Sequence, residues 1–202
     1  MRSLSGFKRR LQGYRGLSER HAGLDLSAAN AFGSNWSETT FEECDFSGAV
    51  FKNAAFDRCV FARSTGRLAD FSTATFTDCL FDTCSFPQAS FFATTFFATT
   101  FKTCDLAYAL FNESSSRGLG FPDCNLHGAD LSLREARLPV DWRGANLWGG
   151  QVGIGCAFFN GMFDERQLRI FASFVVRRGG ILDPEVCGKE LALVNRLMRE
   201  QE

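Results

Sequence analysis

Eight cysteines and two histidines are the side chains of this 202-residue chain best suited to chemistry, which would be metal binding or disulfide exchange. The spacing argues against both. Cys44, Cys59, Cys79, Cys84, Cys104 and Cys124 form no C-x-x-C pair, and only His21 and His127 exist to complete a zinc site. A twenty-residue period would stack Cys84, Cys104 and Cys124 as a ladder, close enough for either chemistry. These positions are shared with Ala, Ser and Thr, so buried thiols acting as small apolar filler are the expectation, and they favour a reducing compartment. No metal or cofactor is expected. His127 has Asp123 and Asp130 nearby in sequence but no nucleophile or convergent partner, and Gly149, Gly150, Gly153 and Gly155 match no phosphate-cradling loop. The chain reads as a non-enzyme, and its carboxylates and exposed aromatic residues become the groups to place.

What places them is a period of five. Trp36, Phe41, Phe46, Phe51, Phe56, Phe61, Phe71, Phe76, Phe81, Phe86, Phe91, Phe96, Phe101, Leu106, Phe111, Phe121, Leu126 and Leu131 stand in one frame, which only Gly66 and Ser116 miss. Two residues before each large residue stands a small one, such as Cys44, Ala49, Ala54 or Cys59. A helix would turn residues five apart by roughly 140° and define no buried face. A straight strand would send alternate Phe into water. The pattern is satisfied by a solenoid in which the small and large residues face inward, a corner follows, and coils stack at about 4.8 Å. In that frame Glu38, Glu42, Glu43, Asp45, Asp57, Asp78 and Asp82 point outward. So do Phe92 and Phe97, from the tandem FATTFFATTF, which form a contact patch or pack beneath a loop or terminal helix.

The triplets Cys44-Asp45-Phe46, Ala69-Asp70-Phe71, Cys104-Asp105-Leu106, Cys124-Asn125-Leu126, Ala129-Asp130-Leu131 and Ala145-Asn146-Leu147 are close to A(D/N)LXX. The chain thereby resembles the pentapeptide-repeat family over roughly two thirds of its length. The resemblance implies an all-β solenoid, a right-handed quadrilateral β-helix with four fives per coil. The periodicity alone shows corners, not their number.

The expected organisation is a basic cap over residues 1–23, the repeat over 24–162, and a helical segment over 163–202. Residues 1–23 carry six Lys or Arg against Glu19, and residues 24–136 carry fourteen Asp or Glu against seven Lys or Arg. Leu4, Phe7, Leu11 and Tyr14 stand at helical spacing, and the segment reads as a lid on the first coil, a basic arm or a transit peptide. Without a membrane-length apolar run or a secretory signal, a cytoplasmic location is expected. The polar stretches 62–68 and 112–119 look like loops leaving the wall, or tolerated irregularities, and would offer Arg67, Ser115 and Arg117 to a partner. The frame slips by one residue near Pro139. Beyond it Asp164 and Gln167 open a helix with Leu168, Phe171, Phe174 and Val175 on its apolar face. That segment resembles the dimerisation element of the gyrase-protecting branch of the family, which implies a homodimer.

Two functions are expected as alternatives. One is a DNA-mimicking rod that binds a type II topoisomerase, DNA gyrase, through the seven carboxylates, and protects it from poisons such as quinolones; this follows from the resemblance and the acidic coil. The other is a scaffold or effector that binds a protein through the solenoid wall and Phe92 and Phe97. Neither requires direct nucleic-acid or membrane binding.

Overall fold

An inward ring at every fifth residue requires a corner at every fifth residue. The computed structural model, which describes residues 11–147 and Gly150, supplies one. Every fifth residue from Gly13 to Gly128 has a left-handed backbone, with φ between 44° and 80°. Most of these residues are not glycine, at a cost of roughly 1–2 kcal/mol each for an L side chain. Since all the corners share this conformation, the strain marks no particular site.

Between corners the chain is extended. The strands are β1 (Arg15–Leu17), β2 (Arg20–Ala22), β3 (Asn35–Ser37), β4 (Thr40–Glu42), β5 (Ala55–Asp57), β6 (Val60–Ala62), β7 (Thr75–Thr77), β8 (Leu80–Asp82), β9 (Thr95–Lys102), β10 (Ser115–Gly120) and β11 (Glu135–Ala136). All pairing is parallel. Arg15 pairs with Asn35, Asn35 with Ala55, and so on through Thr75, Thr95 and Ser115 to Glu135. A second side pairs Arg20, Thr40, Val60, Leu80 and Thr100. Two further sides are joined by single bridges, from Asp25 through Asp45, Thr65, Ser85 and Asp105 to Asn125, and from Asn30 through Val50, Asp70, Ser90 and Leu110 to Asp130. Four sides and an offset of twenty settle the number of corners. The fold is the quadrilateral β-helix, and among the described residues there is no helix.

The interior is a stack of rings. The Phe at the fifth positions are buried, and where the next coil also supplies a Phe the two rings lie one over the other. Phe61 and Phe81 stack at 4.3 Å and 2°, Phe81 and Phe101 at 4.3 Å and 15°, and Phe56 and Phe76 at 4.8 Å and 5°. Neighbouring columns meet edge to face, as Phe81 and Phe86 do at 88°. The small inward residue works differently. The polar atom of Ser64, Thr94, Thr99, Cys84 or Cys124 donates to the carbonyl of the ring residue one coil earlier, so Ser, Thr and Cys interchange with Ala there. The Asp or Asn before the ring has a third task, because Asp45, Asp70, Asp105, Asn125 and Asp130 accept the N–H two residues on and brace the turn.

Two polar stretches take the second of the readings open to them, and one boundary differs from the sequence reading. Residues 62–68 and 112–119 do not leave the wall. Thr65 bridges Asp45 and Ser85, and Ser115–Gly120 is strand β10. At Gly66 the missing ring is replaced from the next coil: a Cβ there would lie 2.1 Å from Phe86 Cε1. The Phe86 ring thereby reaches Phe46, two coils away, at 6.0 Å. At Ser116 the sizes are exchanged, with Ser in the ring position and buried Leu119 in the next small position.

The repeat also begins earlier than residue 24. Leu11 is buried, and β1 and β2 already pair with the second coil. The pattern is hidden there because Tyr14 and Glu19 take small positions while Gly16 and His21 take ring positions. Trp36 fills the space at Gly16, and His21 stacks on Phe41 at 5.4 Å. The frame slip is present: Ser116 pairs with Ala136 but Gly120 with Asp141, which sets Trp142 over Phe121 at 5.0 Å and 6°.

Gly66→Ala is expected to cost about 1–3 kcal/mol by overpacking against Phe86, read as a lower urea midpoint at an unchanged slope. Phe86→Leu in the same chain is expected to recover part of that loss. Strict additivity of the two would show that ring and glycine do not share the space.

Candidate functional site

Six of the seven proposed carboxylates collect on one side of the solenoid. Glu42 and Asp82 end β4 and β8, Glu43 holds the corner after β4, and Asp57, Glu38 and Asp78 border the same face across the preceding corner. Asp45 belongs to the next face and braces its own turn through Ser47 N–H at 2.8 Å. The edge is not bare acid. Arg58 stands in the column between Glu38 and Asp78 and bonds to Glu38 at 3.0 Å and Asp57 at 2.9 Å. Arg63 pairs with both Glu42 and Glu43, and Arg20 pairs with Glu42. Asp78 and Asp82 make no ion pair within the described residues. The Ser18 hydroxyl, and then Arg58, hold the Glu38 carboxyl below the usual glutamate range. Arg20, and then Arg63, do the same for Glu42.

Phe92 and Phe97 are exposed, at 41% and 42%, as their register requires. They do not form one patch. Phe92 follows ring residue Phe91 and Phe97 follows Phe96, so they project near successive corners, and their rings are not in contact. Phe97 instead lines a groove of about 250 Å³ with Thr95, Ser115, Ser116, Arg117, Arg134, Glu135 and Arg137. Arg67 lies on another face and donates to Gln88 at 2.9 Å.

A model of pentapeptide repeats matches residues 25–63 with eight copies, and the five-residue register of the structure runs through and beyond them. The chain carries pentapeptide repeats. No curated protein matches it. Among solved structures it is similar to full-length QnrB1, described as a plasmid-mediated fluoroquinolone resistance protein, at 18% identity and a TM-score of 0.30, covering 83% of this chain and 100% of that one. It is also similar to HetL of the cyanobacterium Nostoc sp. strain PCC 7120, described as involved in heterocyst differentiation regulation, at 17% identity and a TM-score of 0.21 over 70% of this chain and 86% of that one. A third is Rfr23 of the cyanobacterium Cyanothece 51142, at 13% identity and a TM-score of 0.24 over 78% and 86%.

In this solenoid the thiols lie along the interior. Cys84 N donates to Cys104 Sγ at 3.4 Å and Cys104 N to Cys124 Sγ at 3.3 Å, so the expected ladder forms. Hydrogen bonding with Cys104, followed by burial, pushes the Cys84 and Cys124 thiols up, and burial pushes Cys44 up. Among the described residues no group of three or more metal-binding side chains converges. His127 meets Tyr108 Oη at 3.1 Å on an exposed face. Leu168, Phe171, Phe174 and Val175 lie outside the described residues.

Arg134, Glu135 and Arg137 are not singled out by the sequence, and Ser116 is marked there only as a failure of the frame. They sit where the repeat is interrupted, so no register placed them. The twenty-residue spacing of Phe97, Arg117 and Arg137 was the available signal.

Glu38 and Glu42 are expected to titrate below ordinary glutamate in an NMR pH titration. Arg58→Ala should raise Glu38 toward the ordinary value, with Ser18 retaining part of the shift. Because both values are depressed in the fold, their contribution to stability is present above the ordinary glutamate pKa and disappears as pH falls through the lowered one.

Proposed function

We propose that this protein is a protein-binding solenoid whose acidic edge meets a basic surface on its partner. The observation that supports this reading is the alignment of Glu38 with Asp78 and of Glu42 with Asp82 along one face, in columns repeated every second coil. A rigid wall holds these charges at fixed spacing, so little ordering entropy is lost on binding. The partner that the sequence resemblance points to is a type II topoisomerase, DNA gyrase, whose DNA-binding saddle would take the rod in place of duplex and so be protected from quinolones or a natural toxin. Cytoplasmic residence is part of the same proposal.

Magnitude bounds the mimicry. Residues 11–147 carry sixteen Asp or Glu and eleven Lys or Arg, a net charge of −5. Their coils span roughly 30 Å at the strand spacing, over which duplex DNA carries about 17 negative charges. This deficit, with Arg20, Arg58 and Arg63 tied to the same carboxylates, favours a second reading in which the wall scaffolds a protein without imitating DNA.

A gyrase supercoiling assay with and without a quinolone, at low and high salt, separates the two. The DNA-mimic reading expects rescue that fades steeply as salt rises. It also expects a loss on the order of tenfold in potency for the combined Glu38→Gln, Asp78→Asn and Asp82→Asn variant. Absence of any effect on gyrase or topoisomerase IV at protein in large excess over enzyme would remove topoisomerases as the partner.

The segment 163–202 is proposed to dimerise the chain. Sedimentation velocity should then give a dimer that Phe171→Glu with Val175→Glu converts to monomer, and a wild-type monomer at micromolar concentration would refute it.

A further inference from the structure

The acidic edge leaves a basic groove elsewhere on the solenoid unused. It lies across β9, β10 and β11, and its polar lining includes Arg117, Arg134, Arg137 and Glu135. Arg137 is occupied by Glu135 at 3.0 Å. Arg117 and Arg134 are exposed and make no ion pair within the described residues, although Arg20, Arg58, Arg63 and Arg143 all do.

Ser116, also in the lining, occupies an inward ring position, so its buried hydroxyl faces the core and not the groove. The exposed ring of Phe97 adds an apolar surface beside the guanidinium groups.

We propose that this groove binds an acidic segment of a protein partner, taking its anionic group between Arg117 and Arg134 and its apolar neighbour on Phe97. The chemistry recognised is the planar carboxylate of an Asp or Glu side chain. Two quantities select that occupant. At about 250 Å³ the groove is smaller than the roughly 300–1,000 Å³ of small-molecule sites, so it accepts a side chain rather than a cofactor. The groove is locally positive on a solenoid of net charge −5, which attracts one short anion while repelling a long polyanion such as nucleic acid. The inference rests on the protein-interaction reading but not on the acidic edge or on any topoisomerase.

The test is fluorescence anisotropy of the purified full chain with a labelled, end-blocked Gly-Asp-Phe-Glu-Gly peptide and its Asn/Gln analogue. Saturable binding of the acidic peptide is expected. The neutral analogue, and the Arg117→Ala with Arg134→Ala variant, should each bind at least about tenfold more weakly, with circular dichroism unchanged. Phe97→Ala is the discriminating variant: it should weaken peptide binding several-fold while leaving the melting temperature unchanged, because the ring is exposed. Equal affinity for the neutral analogue, indifference to the double arginine variant, or tighter binding of a thymidine oligonucleotide of equal charge would overturn the proposal. Failure in the gyrase assay leaves this result unaffected, since the peptide is offered to the chain alone.

Discussion

Everything in this molecule depends on stacking one aromatic ring on another at the spacing of parallel strands. A Phe column repeats every coil at 4.3–5.6 Å between centroids along Phe41, Phe61, Phe81, Phe101 and Phe121 and along Phe56, Phe76 and Phe96. Only a coil of constant circumference keeps such columns in line, and constant circumference demands a corner after every ring. The left-handed residues at the corners are the conformational consequence. Their cost is small beside the burial of each ring, which removes roughly 150–250 Å² from water per aromatic side chain.

The same constraint governs the surface. Because each outward position recurs at the same height in the next coil, a side chain's neighbours lie twenty residues away rather than beside it in sequence. Glu38 meets Arg58, Glu43 meets Arg63, and Asp105 meets Asn125. Carboxylates and arginines that are scattered along the chain therefore become alternating members of columns on the wall. A surface of that kind can present charge in a fixed geometry, but its strength as a polyanion is reduced by its own arginines. The proposed function, recognition by a rigid wall, would draw its specificity from which columns are left unpaired.

Interruptions of the repeat carry the local variety. Gly66 is absorbed in the core by Phe86, whereas Ser116 and the one-residue slip before Asp141 are not fully absorbed and open the groove beside Phe97. The two defects look alike in sequence, since each replaces a ring by a small residue within a polar stretch. They differ because a ring from the following coil reaches into the first, while at the second the small and large positions exchange and the following coil is displaced.

The repeat, its inward and outward sets and the frame slip were legible in the residues, because a period of five is incompatible with any ordinary helix or strand. That period also determined which carboxylates and which Phe face solvent. The first coil was not legible, since Tyr14, Gly16, Glu19 and His21 break the size pattern that pairing nevertheless enforces. Only the tertiary structure decided that there are four sides, that 62–68 and 112–119 stay in the wall, that Phe92 and Phe97 part company, and which carboxylates Arg20, Arg58 and Arg63 meet. The physical reason is common to all four: they are contacts between coils, set by an offset of twenty residues and by ring packing across it, and a single pass along the sequence orders residues by five.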